Sequence, residues 1–79
     1  MMPEGEREIQ EVVYENLERY RKEKVFTKKE LCERAEYSYQ SYINMSELRT
    51  QIRLTTIQKF AYALGIKTID LFEDWSDID

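Results

Sequence analysis

Apolar residues recur along this chain at helical spacing, in separate stretches divided by polar joints. Ile9, Val12, Val13, Leu17 and Tyr20 stand three and four residues apart, which predicts a first helix from about Glu6 to Lys22. Its other face, with Glu11, Glu15, Glu18 and Arg19, reads as solvated surface. Early Glu4, Glu6 and Glu8 and late Arg19, Arg21 and Lys22 complement the helix dipole. A fourth stretch, Leu54 to Leu64, sets Ile57, Phe60, Ala61 and Leu64 on one side, and Gly65 supplies its stop. Thr68 is expected to cap a last short turn through Phe72, ahead of an acidic end from Glu73 to Asp79.

Between these lie two shorter helices. Thr27-Lys28-Lys29-Glu30 is a capping box, in which the Thr27 hydroxyl accepts from the Glu30 amide while the Glu30 carboxylate reaches back. Leu31, Cys32 and Ala35 form the apolar face of the helix that it opens. Ser38 is the next N-cap, so only Glu36, Tyr37 and Ser38 precede a third helix, about Tyr39 to Glu47, with Tyr42 and Met45 inward. Two short helices joined so tightly cannot lie antiparallel and must cross steeply, the helix-turn-helix arrangement. A polar loop, Leu48 to Arg53, follows.

Alternating β-branched runs bounded by turns are missing, and the two Gly and one Pro lie near element ends, so the fold class is all-α. Seventy-nine residues make one small domain with a single core. The absence of His and the single Cys32 exclude a His-based general base, the usual zinc set and an internal disulfide. No nucleophile–base pair or metal set can be assembled, so neither an enzyme nor a cofactor is expected. The longest apolar run, Phe60 to Ile66, is far shorter than the ~18 residues of a membrane span. With no charged-then-apolar leader at the start, a cytoplasmic protein is expected.

From about Leu17 to Phe72 the chain resembles the lambda-repressor-like, XRE-type helix-turn-helix family of bacterial and phage regulators. The residues that carry the resemblance are Leu17, Tyr20 and Arg21, then Phe26-Thr27 and Leu31, then Ala35, Ser38, Tyr42 and Met45. Downstream, the stretch from Ile57 to Ile66 matches the family's most characteristic segment, closed by Leu71-Phe72. The implied architecture is a compact bundle of about five helices. It forms a single domain over 1–79, with a family-like core at 17–72 and acidic ends at 1–16 and 73–79. Departures are specific. Glu36 stands where the family's turn usually has Gly, and must adopt a positive φ unless the turn differs. Leu48 replaces a usual Gly, Ile52 a usual Pro and Lys28 a usual Gln, and Ser38 to Glu47 contains no Lys or Arg.

The resemblance implies that the third helix enters the major groove of double-stranded DNA. Carried over by position, the base-contact candidates are Lys28, Tyr39, Gln40, Ser41 and Asn44. Gln40 and Asn44 each suit adenine, Ser41 suits either base type, and Ile43 suits a thymine methyl. The phosphate-contact candidates are Thr27, Ser38, Arg49, Thr50, Gln51 and Arg53. The C-terminal stretch holds more apolar groups than one short helix can bury. The resemblance implies a dimer contact near the last helix, which makes Ile69, Phe72 and Trp75 candidates for a homodimer interface, with Trp75 folding back on its own core as the alternative. Two recognition helices would then lie about one DNA turn, ~34 Å, apart on a palindromic site. Tyr37, Tyr39 and Ile43 would make an apolar patch if all three were exposed, a feature of protein interfaces.

The expected function is thus a DNA-binding transcriptional regulator, of bacterial or mobile-element origin. The alternative is a protein-interaction module on the same fold, such as a phage-encoded inhibitor or an antitoxin. Charge bears on that choice. Twelve Lys plus Arg against sixteen Asp plus Glu gives −4, an unpromising total for a polyanion ligand. The acidity is local, however. Residues 1–20 hold two basic and six acidic groups, and 70–79 none and five, leaving ten basic and five acidic groups, net +5, in 21–69. Local field rather than total charge attracts phosphate.

Overall fold

The computed structural model describes residues 7–47 and 51–74. Four α-helices and one 3-10 turn run in the order α1 (Ile9–Glu23), α2 (Lys28–Arg34), α3 (Tyr39–Ser46), α4 (Leu54–Leu64) and the turn Thr68–Phe72, with no strand among the described residues. The fifth helix expected from the sequence is this 3-10 turn. It starts after Lys67, whose N–H donates to the Asp70 carboxylate at 3.2 Å, so Asp70 rather than Thr68 closes its first turn. α1 begins at Ile9 with Glu8 at its N-cap and no side-chain cap there, and the expected start at Glu6 lies outside the described residues.

One core joins all five elements. Leu17 of α1, Leu31 of α2, Tyr42 and Met45 of α3, Phe60 of α4 and Leu71 of the turn are fully buried. Burying side chains of this size contributes roughly 1.5–3 kcal/mol each, which is what an isolated seven-residue helix such as α2 needs in order to persist. Cys32 is buried and free, and burial pushes its thiol above the ordinary range. Ile9, on the predicted apolar stripe, is in fact half exposed, and Tyr20 lies at the core's edge with the Arg19 guanidinium over its ring.

Asn16 is the buried polar residue of α1 that the apolar stripe concealed. Its Nδ2 donates to the carbonyl oxygens of Leu71 at 2.9 Å and Glu73 at 2.7 Å, binding the 3-10 turn to α1. Arg7 adds a clasp nearby, reaching exposed Glu15 at 2.7 Å and half-buried Asp74 at 3.1 Å. Its hydrogen bond holds the Glu15 carboxyl below the usual carboxylate range.

Three helices end in the same way. After α1, α2 and α4 the chain turns left-handed at Val25 (φ 61°), Glu36 (φ 53°) and Gly65 (φ 70°). Each end pairs two backbone N–H groups with carbonyls of the last turn, as in Phe26 to Arg21 at 3.0 Å, Tyr37 to Cys32 at 2.9 Å and Ile66 to Ala61 at 3.0 Å. Glu36 thus takes the positive φ that its place in the turn demands. Val25 does so although β-branched, an uncommon choice whose cost is about 1–2 kcal/mol for the backbone. Its side chain is 84% exposed and packs on little. Val25→Gly is therefore expected to stabilise the domain by about 0.5–1 kcal/mol, after the entropic cost of glycine. Urea unfolding checks this, and an unchanged or lower midpoint contradicts it.

Candidate nucleic-acid interface

The orientation of α3 is set from its inner face. Tyr42 is fully buried, with its ring 5.5 Å from Phe60 and 5.7 Å from Tyr14. Its hydroxyl donates to Glu18 Oε2 at 2.6 Å. Arg21 donates to both carboxylate oxygens of Glu18 at 2.9 Å and, through Nη1, to the Phe26 carbonyl at 2.6 Å. Burial alone would raise the Glu18 carboxyl. The Arg21 and Tyr42 hydrogen bonds, helped by the charges of Arg21 and Lys28, instead hold it below its ordinary 4.5. Burial, and then the Glu18 carboxylate, keep the Tyr42 phenol protonated and donating. Glu18 therefore corrects its reading as solvated surface: it links α1, the joint before α2 and the inner face of α3.

With Tyr42 and Met45 inward, Gln40, Ile43, Asn44 and Glu47 recur on the opposite side of α3 at i, i+3, i+4 and i+7. Gln40 and Glu47 are exposed, and Ile43 and Asn44 are half-buried. Gln40 Nε2 donates to Asn44 Oδ1 at 3.4 Å. Tyr39 is 49% exposed at one flank of this stripe, and Ser41 is half-buried at the other. Lys28, the first residue of α2, is half-buried near Glu18, with exposed Lys29 beside it.

Thr27 and Ser38 are N-caps. Thr27 Oγ1 accepts from Glu30 N–H at 3.0 Å while Glu30 Oε1 accepts from Thr27 N–H at 2.9 Å, completing the capping box. Ser38 Oγ accepts from Ser41 N–H at 3.3 Å. Both residues are exposed, so each hydroxyl still has its proton to donate outward. Gln51 and Arg53 are exposed between α3 and α4, with Arg53 at the N-cap of α4. Arg49, Thr50 and Leu48 lie outside the described residues, as does Trp75.

The predicted aromatic patch does not form as a trio. Tyr37 is half-buried, packed edge-on against Phe60 at 5.3 Å, which leaves Tyr39 and part of Ile43. Tyr62 is exposed on α4. The dimer candidates Ile69 and Phe72 stand on the 3-10 turn. Ile69 is 63% exposed, while Phe72 rests on the core and lines an apolar groove with Ile9, Val13, Ile52, Leu54 and Ile57. No helix among the described residues is long and apolar enough to cross a membrane.

The structure is similar to a crystal structure of NHTF, a hypothetical transcription factor from Neisseria. The TM-score is 0.80 at 22% sequence identity, covering 94% of this chain and 88% of that one. At that identity the likeness establishes the fold. A comparison with curated proteins gives no match. The sequence itself matches the Cro/C1-type HTH DNA-binding domain over residues 16–77, which includes every described helix from the Asn16 turn of α1 onward. The chain belongs to the Cro/C1-type helix-turn-helix DNA-binding domains.

Proposed function

We propose that this protein is a sequence-specific transcriptional regulator that reads DNA through the outward stripe of α3. The observation that carries the reading is the pinning of α3 by Tyr42, which turns a polar, base-capable face to solvent. Gln40, Ser41 and Asn44 supply hydrogen bonds to base edges, Ile43 suits a thymine methyl, and Tyr39 and Lys28 flank them. Thr27, Ser38, Gln51 and Arg53, with Arg49 and Thr50, bind phosphates and set the register. The single domain acts as a homodimer on a palindromic site. Exposed Ile69, and Phe72 in its apolar groove, support a contact on the side of the 3-10 turn.

Gel shifts against duplexes selected from a random pool, and against the DNA upstream of its own coding sequence, test this at low and moderate salt. Asn44→Ala is expected to lose about 1–3 kcal/mol of discrimination between sites while keeping general DNA affinity. Arg53→Ala is expected to weaken binding to every sequence and to reduce the salt slope by about one. Equal effects of the two substitutions contradict the division of roles, and absence of any selective binding overturns the function.

A further inference from the structure

The left-handed position after α4 is filled by Gly65, the residue that adopts it freely, but the one after α1 is filled by Val25. Val25 is both strained, at φ 61°, and 84% exposed, although it is β-branched and apolar. Strained residues cluster at binding and switch regions. Cations surround this one. Lys22, Lys24 and Lys29 are exposed, and the exposed Arg34 lies with its guanidinium 4.3 Å over the Phe26 ring, which ties it to the same joint. Residues 21–34 hold six basic and three acidic groups, net +3. The α1–α2 joint thus offers one branched alkyl tip among positive charges.

Such a surface is complemented by an acidic segment that carries apolar side chains. The chain contains one. Glu73-Asp74-Trp75-Ser76-Asp77-Ile78-Asp79 holds four acidic groups and no basic one, with Trp75 and Ile78 set between them. We propose that this acidic end of one copy docks on the α1–α2 joint of a second copy, with the Trp75 ring on Val25 and with Asp77 and Asp79 among Lys22, Lys24 and Lys29. The contact needs neither DNA nor the dimer side proposed at the 3-10 turn.

Reach separates the second copy from the same chain. Arg7, two residues before α1, holds Asp74 at 3.1 Å, whereas Val25 stands two residues after the end of α1. The 15 residues of α1 rise roughly 22 Å between them. Trp75 begins one peptide, about 3.8 Å, beyond Asp74. While the clasp holds, Trp75 therefore stays at the far end of α1 from its own Val25. A contact between the end of one copy and the joint of the next is heterologous, so it links copies in series unless it closes on itself. Exposed charge pairs are weak and screened by salt, which makes this a concentration-dependent and salt-sensitive association.

Trp75 is the one tryptophan of the chain, so its fluorescence reports the contact directly. The full chain is measured without DNA over a range of concentrations at low and moderate salt, with sedimentation velocity on the same samples. At high concentration and low salt the Trp75 emission is expected to move to the blue, acrylamide quenching to fall and the mass to rise, and added salt should reverse all three. Val25→Asp should abolish the concentration dependence. Aspartate accepts a left-handed backbone, and unfolding curves confirm that the variant is folded. Lys24→Glu and Asp77→Lys should each weaken the association, and the two combined in one chain should restore it. Emission that does not change with concentration overturns the proposal. So does a blue shift lost in Ile69→Asp but kept in Val25→Asp, which puts Trp75 at the 3-10 turn instead. Substitutions at Lys24 and Val25 that change DNA affinity but leave self-association intact also overturn it, and assign the joint to phosphate binding.

Discussion

Tyr42→Ala is expected to leave the chain largely unfolded. Truncating a fully buried aromatic costs about 3–5 kcal/mol through lost burial and the cavity left behind. The ring contacts to Phe60 and Tyr14 go with it, and Glu18 loses a donor. A domain of this size commonly has only ~5 kcal/mol or somewhat more of total stability, so little or nothing remains. Circular dichroism with urea titration measures this, and a cooperative transition near the wild-type midpoint contradicts it.

Tyr42→Phe separates the hydroxyl from the ring. It should cost about 1.5–3 kcal/mol near neutral pH, the usual range for a hydrogen bond to a charged group. The pH dependence follows from the sign of the Glu18 shift. A carboxyl held below 4.5 in the folded state adds stability that is present above 4.5 and lost as pH falls through the folded value. The difference between Tyr42→Phe and the wild-type chain should therefore narrow well below pH 4.5. An equal difference at both ends of the range would show that the hydroxyl stabilises independently of the Glu18 charge, and no difference at either end that Tyr42 acts through its ring alone.

The second large effect is expected at Asn16. Asn16→Leu keeps the volume but strips the donor from the Leu71 and Glu73 carbonyls, at a cost of about 2–3 kcal/mol. Asn16→Asp should be worse, because an acceptor-only carboxylate then faces two carbonyl oxygens. The damage should concentrate at the 3-10 turn. Amide hydrogen exchange is expected to accelerate at Leu71 and Phe72 more than in α2 or α3. Uniform acceleration would mean that the turn and the core unfold as one unit.

These two sites also mark what the chain's pattern does and does not disclose. Spacing alone located α4 from Leu54 to Leu64, because Ile57, Phe60, Ala61 and Leu64 form an uninterrupted stripe ended by glycine. The α2 start was equally legible, since Thr27 and Glu30 satisfy each other locally and need no knowledge of the rest of the fold. Asn16 stands on the α1 stripe beside Val12, Val13 and Leu17, and that interruption was the available signal of a buried donor. Its acceptors lie 55 and 57 residues away, beyond any local pattern. Glu18 has a partner at i+3, but its burial depends on Tyr42 arriving from α3, 24 residues on. Val25 gave no sign, as nothing local distinguishes a left-handed valine from an ordinary loop residue.

The candidate interface was legible to a similar degree. Helical period and the inward Tyr42 and Met45 already put Gln40 and Asn44 outside, while their mutual hydrogen bond required the structure. Whether Tyr37 is exposed could not be read locally, because its cover, Phe60, comes from α4.

The central claim is that the outward stripe of α3 lies against DNA bases. Titrating the isotope-labelled chain with its selected duplex and following backbone amide shifts by NMR tests it most directly. The largest changes are expected from Tyr39 to Glu47, with smaller ones at Thr27, Lys28, Gln51 and Arg53, and little at Ile69 beyond any dimer contact. Changes centred on the groove of Ile9, Leu54 and Phe72, with α3 silent, would contradict it.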